Sequence, residues 1–262
     1  MTNNAGEWDP GQYERFREER SLPFYDLLKL VIPKRGAEGH GMRVVDLGCG
    51  TGELTREMHR HFKAASTLGI DSSDAMLKKA HELGEPGVSF THGNLEDVTG
   101  EFDLVLSNAA LHWVPDHASV LGRLTAAVAS GGQLAVQMPA NQDHPSHVVA
   151  DELAKEPPFA DALGGVGARQ HVLPVERYAA LLHALGYRAQ RVRLQVYVHR
   201  LSSREGVVEW VKGAMLTDLK RRMSDALYAQ FLARYTERLL PRLEDTRPYP
   251  YTFKRVFLWA EK

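Results

Sequence analysis

Residues 44–55 read Val-Val-Asp-Leu-Gly-Cys-Gly-Thr-Gly-Glu-Leu-Thr: an apolar run carrying one acid, Asp46, then glycines at 48, 50 and 52, then residues suited to begin a helix. Glycine takes positive φ without strain and lets a ligand approach the backbone, and a helix N-terminus presents unpaired N–H groups. Three glycines in five residues exceed what a plain tight turn requires, so a polar, flat or anionic group is expected against them. A turn with no ligand stands as the bland alternative. Asp46, leading the turn, is a second clue: a buried carboxylate repels a diphosphate and attracts an ammonium group. The third glycine also arrives one residue earlier than in the G-x-G-x-x-G of dinucleotide folds. The sign of the charge favours a ligand that carries a cation.

S-adenosyl-L-methionine carries both an α-amino group and a sulfonium, and suits this turn better than a nicotinamide dinucleotide does. Asp71 lies about 20 residues beyond the turn, where nucleotide folds place a ribose-hydroxyl acceptor. Met76, one turn into the next helix, packs either on an adenine face or in the core. Asn94 and Leu95, in GNLEDV, offer an amide and a backbone N–H to the adenine edge, with capping of a turn as the other use of Asn94.

These residues need a scaffold of strands feeding helices. MRVVDL, STLGID, GVSFTH, FDLVLSN and GQLAVQM read as strands, alternating with helices at Glu53 to Phe62, Ser73 to Leu83 and Ala118 to Ala129. That rhythm predicts βαβ units and a parallel sheet covered by helices on both faces. From Pro139 to Pro174 the chain becomes rich in Pro, Gly, His and Asp, with one helix at Ser146 to Lys155. A helix follows at Val175 to Leu185, with Gly186 as its stop. Val192, Leu194, Val196 and Val198 alternate with polar residues and predict a half-buried strand whose aliphatic face is inside. Ser202 and Glu205 suggest a capping box for a helix to about Leu219. Another helix spans Ser224 to Leu240, and FKRVFLWAEK closes the chain as a strand.

Composition narrows the function classes. Thirty-two Lys and Arg balance 33 Asp and Glu for a net charge of -1, so no bulk field draws in nucleic acid or an anionic membrane. The N-terminus shows no apolar segment behind a basic start, and no run approaches the roughly 18 to 20 apolar residues of a membrane helix. The single cysteine, Cys49, forbids an intrachain disulfide framework. The cytoplasm is the expected compartment, with the chain a monomer or homodimer. Twelve histidines invite a metal, yet His59 and His61 fall two apart on a helix and cannot face one ion, and His144 and His147 lack a ligand set at metal spacing. No metal is expected.

DLGCGTG, GIDSS (Gly69 to Ser73) and FDLVLSNAALHWVPDH (Phe102 to His117) together resemble a class I S-adenosylmethionine-dependent methyltransferase. More narrowly, the chain is similar to the trans-aconitate 2-methyltransferase family. That likeness runs through Trp8, Asp9, Pro10 and Tyr13, Glu19 to Pro23, LAVQMPAN, Pro145 to Val148 and Phe253 to Phe257. It covers the chain nearly end to end. It implies a Rossmann-like α/β fold: a seven-stranded, mostly parallel sheet with an antiparallel last strand, helices on both faces and a helical cap. N-terminal lid helices (1–40), a cofactor core (41–140), a substrate cap (141–173 and 203–250) and completion of the sheet (174–202 and 251–262) are the implied parts. By position, Gly48, Cys49 and Gly50 line the methionine part of the cofactor, Asp71 and Ser72 the ribose, Asn94 and Leu95 the adenine. Asn108 and Ala109 lie below the sulfonium, and Tyr13 and Arg20 belong to a lid, with packing as the other use of Tyr13.

Methyl transfer from a sulfonium is an in-line displacement, helped chiefly by alignment and exclusion of water. An ionised carboxylate is already nucleophilic and needs no general base. A pocket for a small polycarboxylic acid should present cations or donors; Arg20, His144, His147, Arg169, His171 and Arg255 are the candidates. Trp113 is expected as an apolar wall at the methyl, with His112 as a base if the acceptor is instead a hydroxyl or amine of a secondary metabolite. A cofactor-binding protein without catalysis is the remaining reading. GGVGARQHVLP and DTRPYPYTF match the family only loosely, which leaves the acceptor open to difference.

Overall fold

The computed structural model describes residues 17–33, 41–82, 84–164, 171–213 and 215–262, with side chains from Ser21 onward. One sheet of seven strands organises them, in the order β3-β2-β1-β4-β5-β7-β6. These are β1 (Arg43–Leu47), β2 (Ser66–Asp71), β3 (Val88–His92), β4 (Phe102–Asn108), β5 (Val128–Pro139), β6 (Ala189–Leu201) and β7 (Tyr249–Glu261). β1 pairs parallel with β2 and with β4, Val45 facing Leu68 on one side and Val105 on the other. β3 and β5 extend the parallel set, and β7 runs antiparallel to β5. The strand order reverses between β1 and β4, so the crevice at their carboxyl ends is the place such sheets bind ligands.

The chain divides into two compact units. The larger comprises Ser21–Pro139, His171–Gln195 and Arg255–Lys262. Its centre is the buried aliphatic set of β1, β4 and β5: Val44, Val45, Leu47, Leu104, Val105, Leu134 and Val136. Near-continuous apolar runs of this kind are what strands covered on both faces require. Helices α1 (Arg17–Leu28), α2 (Glu53–Phe62), α3 (Asp74–Glu82), α4 (His117–Ala127) and α7 (Val175–Ala184) join and cover them. The segment expected as a lid contributes core: Phe24, Leu27, Leu28 and Val31 are buried. Gln133 of β5 holds the end of that segment by accepting from the Ile32 N–H and donating to the Ile32 carbonyl.

Among the described residues, the smaller unit comprises Arg17–Arg20 at the start of α1 and those within Ala140–Gln170 and Val196–Lys254. It contains α5 (Pro145–Ala154), α6 (Phe159–Ala162), α8 (Glu205–Lys212), α9 (Leu216–Arg222) and α10 (Asp225–Leu239). Val149, Leu153, Phe159, Trp210, Phe231 and Tyr235 form its core. It takes in the second half of β6 and the first half of β7.

Three local expectations are corrected. The helix expected to 129 stops at Ala127, and Val128 already pairs with Phe102 of β4; sheet pairing overrides the helical propensity of AAVA. The helix expected from 205 to 219 is two helices interrupted at Gly213, and Ser203 rather than Ser202 meets Glu205, whose carboxyl it holds below the usual range. Most instructive is β6. Its aliphatic face is the open one, with Val198 59% exposed, while Tyr197, His199 and Leu201 are buried. The Arg191 and Arg193 guanidiniums stack over the rings of Trp259 and Phe257, and His199 lies 4.3 Å from Trp210 in a stacked pair. Large flat groups outcompete valines for a sheet neighbour built of aromatics, and arginine stems cover apolar surface well.

Candidate active site

All three glycines of the turn take positive φ: 79° at Gly48, 56° at Gly50 and 75° at Gly52. Their reasons differ. A Cβ on Gly48 would fall 2.2 Å from that of Ala110, whereas one on Gly50 would meet nothing within 4 Å. Gly48 is therefore required by the close approach of the β4 loop, and Gly50 borders open space. The Gly48 and Cys49 N–H groups both donate to the Ile70 carbonyl, and the Gly50 N–H donates to Asp71 Oδ2 at 2.8 Å. β1 and β2 thereby deliver the turn and Asp71 to one spot. Gly52 heads α2 with no side-chain hydrogen bond to cap it, and the first N–H groups of a helix have no partner within the helix itself.

Asp46 is the electrostatic centre. It is buried, Oδ2 accepts from Thr55 Oγ1 at 2.6 Å, and Oδ1 has no partner among the described residues. Burial raises its pKa to about 6, against the Thr55 bond that lowers it, and the charge of Asp71 adds to the rise. A buried, half-partnered carboxylate beside a second one is costly unless a cation arrives. The same two charges, after burial itself, push the Cys49 thiol far up, so it is no nucleophile.

Asp71 accepts from the Gly50 and Ser73 N–H groups, one at each oxygen, and each oxygen keeps a lone pair for hydroxyl donors. Ser72 is exposed beside it; Met76 and Leu95 are half-buried. The Asn94 amide donates to Asp97 Oδ2 at 2.7 Å, bracing the turn at 95–97. At the end of β4, Asn108 Oδ1 accepts from Gln137 Nε2, and Ala109 takes φ 53°, a left-handed conformation that costs a non-glycine residue energy. The turn Leu111–Trp113 follows, with His112 buried, Trp113 54% exposed and their rings 4.7 Å apart.

Spacing did not single out Thr55, Gln137, His117 or Tyr178, and each supports this site. His117 Nε2 bonds the Leu111 carbonyl and its other nitrogen meets the Tyr178 hydroxyl, which pins the His112–Trp113 turn. Burial holds His117 below its usual pKa, helped by nearby His171, which is itself exposed. A polar residue inside an apolar strand, as Gln137 is in LAVQMP, is the one signal that could have found its partner network.

The substrate candidates separate. Arg255 is buried in the larger unit, where Nη1 donates to Gln137 Oε1 at 3.1 Å. His144 and His147 belong to the smaller unit. The His144 ring caps α5 by accepting from the Ser146 N–H, both histidines meet Ser146 Oγ, and Tyr251 and Tyr235 complete the cluster through their hydroxyls. Burial is the main cause that lowers His144 to about 4 and His147 to about 3. Both shifts favour the neutral imidazole, so of the two duties named for them, cation or hydrogen-bond donor, the donor one suits these histidines. Asn141, fully buried, uses Oδ1 on the Lys254 N–H and leaves Nδ2 without a partner among the described residues. Tyr13, Arg169 and the Arg20 side chain lie outside the described residues.

Residues 38–179 match the methyltransferase domain family. A trans-aconitate 2-methyltransferase of Deinococcus radiodurans is 41% identical over 97% of this chain and 98% of its own. The chain belongs to the methyltransferase family. Another relative of this methyltransferase, the trans-aconitate 2-methyltransferase of Methylobacterium nodulans, is 39% identical over 98% of both chains. The solved S-adenosylmethionine dependent methyltransferase of Mesorhizobium loti shares the fold, with a TM-score of 0.51, 24% identity, and coverage of 93% of this chain and 98% of that one. The enzyme uses S-adenosyl-L-methionine as its cofactor, and the open Gly50, the acid pair and the uncapped helix fit the charge and shape of that molecule. Among the described residues no helix is long and apolar enough to cross a membrane.

Proposed function

We propose that this methyltransferase esterifies a small carboxylic acid, trans-aconitate or a close relative in charge and size, and that the crevice at the ends of β1, β2 and β4 holds the cofactor. The observation that carries the cofactor reading is Asp46: a buried carboxylate with one oxygen unpartnered, next to a glycine bordering empty space. The methionine part would lie on Asp46, Gly48, Cys49 and Gly50, its ammonium offsetting the two acids. Asp71 and Ser72 would hold the ribose, Met76, Asn94 and Leu95 the adenine, and Asn108 and Ala109 the side facing the sulfonium. Near full-length similarity to enzymes named for trans-aconitate supports the acceptor class.

S-adenosyl-L-methionine supplies an electrophilic methyl, and a carboxylate acceptor supplies its own electron pair. What the chain must then do is align the two and keep water out. Trp113, exposed and next to buried His112, has the shape for an apolar wall; neither residue needs to accept a proton in this reaction. The strained Ala109 and the pinned turn after it hold that wall rigid.

The test is turnover with S-adenosyl-L-methionine against a panel of mono-, di- and tricarboxylic acids, with the product located by mass spectrometry. A methyl ester of an unsaturated di- or tricarboxylic acid is expected. Methylation confined to amines or hydroxyls would overturn the acceptor class, and tight cofactor binding with no turnover on any acceptor would overturn catalysis itself.

A further inference from the structure

Arg255, Gln137 and Asn108 form a chain of side chains leading from the buried sheet to the end of β4. Arg255 Nη1 donates to Gln137 Oε1 at 3.1 Å, and Gln137 Nε2 donates to Asn108 Oδ1 at 2.6 Å. Gln137 is fully buried and Arg255 nearly so. An amide ordinarily reads the same in either orientation, because its oxygen and nitrogen have nearly the same size. Here chemistry removes the ambiguity. A guanidinium has only donors, so Gln137 must turn its oxygen to Arg255 and its nitrogen to Asn108. Asn108 must answer with its oxygen. Its nitrogen is left facing away from Gln137, with no acceptor among the described residues.

We infer that Arg255, acting through Gln137, sets the Asn108 amide with its N–H groups toward the reaction crevice, and that those N–H groups bind a carboxylate oxygen of the methyl acceptor. Arg255 and Gln137 are then positioning residues, and Asn108 is the group that selects the acceptor. The assignment rests on the carboxylate reading above and deepens it. A carboxylate has a second oxygen to receive this hydrogen bond while the first attacks the methyl: a C–O bond forms, the C–S bond breaks, and its electron pair returns to sulfur. An amine acceptor presents hydrogens to an N–H donor and is disfavoured. Arg255 Nη1, expected at the acceptor itself, is engaged by Gln137 Oε1 and reaches Asn108 by way of that amide.

The decisive variant is Gln137→Glu. Its carboxylate still accepts from Arg255, but it offers Asn108 an oxygen in place of an N–H, so the Asn108 amide turns over and shows its own oxygen to the crevice. The acceptor KM should rise at least about ten-fold, the scale of one hydrogen bond to a charged group, with kcat altered less. Affinity for S-adenosylhomocysteine, measured by calorimetry, should change by far less than the acceptor KM. Asn108→Asp, which keeps its bond from Gln137, should raise the same KM without loss of fold. Arg255→Gln frees the chain to reverse and should raise KM as well, and Arg255→Lys, again donor-only, should restore part of it. Unchanged acceptor KM in Gln137→Glu, with wild type active on acids, overturns the inference. So does a loss confined to cofactor affinity, which would place the N–H groups on the carboxylate of the cofactor instead. A wild-type enzyme that methylates amines and no acid overturns both this inference and the reading beneath it.

Discussion

The larger unit and the smaller unit bury ionisable groups in opposite ways. At the turn after β1, Asp46 and Asp71 stand close together, one oxygen of Asp46 is unpartnered, and the space beside Gly50 is open. In the smaller unit, His144 and His147 share Ser146 Oγ with Tyr251, the cluster is held by aromatic neighbours, and the imidazoles are neutral. A buried charge left half-partnered marks a place where a ligand must finish the electrostatics. The histidine cluster instead finds protein partners for its Nδ1 atoms and the Ser146 hydroxyl. The difference teaches that residue type alone does not separate the two, since histidine looks more like a functional residue than aspartate does.

The largest effects should come from the turn. Gly48→Ala, with its Cβ driven into Ala110 at positive φ, should cost about 2 to 4 kcal/mol of folding stability in denaturant titrations. Gly50→Ala has room and should cost only about 1 kcal/mol, yet it should weaken cofactor binding, because the methyl projects into the ligand space. Equal losses of stability at both positions would erase the distinction drawn between them. Next in size, Asp71→Ala should weaken S-adenosylhomocysteine binding by about 1 to 3 kcal/mol in calorimetry; an unaltered Kd would remove Asp71 from the site.

Ser146→Ala removes the hub of the smaller unit's cluster and should lower folding stability by roughly 1 to 2 kcal/mol, since both imidazoles lose a shared partner. A neutral result would mean the cluster adapts.

A last effect is in pH dependence, and the two regions should pull in opposite directions. Asp46 rises from 3.8 to about 6 on folding, so the folded state holds the extra proton and this group's contribution falls as pH climbs through that window. His144 and His147 drop from 6.5 to about 4 and about 3. The unfolded chain binds their protons first, and stability is lost as pH falls below about 6.5. In Tm measured from pH 4 to 7, Asp46→Asn should steepen the rise with pH and His147→Gln should flatten it. Parallel profiles for wild type and both variants would show that neither group titrates as placed.

The repeating strand and helix pattern, the glycine turn and the position of Asp71 were legible because each is set within a few residues by backbone conformation or by period. VVDLGCGTG needs no distant partner to demand positive φ. The face of β6 that is buried was not legible, because the choice between valines and aromatic or arginine side chains was made by Trp259, Phe257 and Trp210, far along the chain. Likewise Arg255 was visible as a cation, but its hydrogen bond to Gln137 was decided by the antiparallel pairing of β7 with β5, which sets Arg255 across from Pro139. Sequence alone determined where glycine, acid and helix start must coincide, since that is local backbone chemistry. Only the tertiary structure decided which buried groups close their hydrogen bonds on one another and which remain open, because a hydrogen bond is completed by whatever partner the fold delivers.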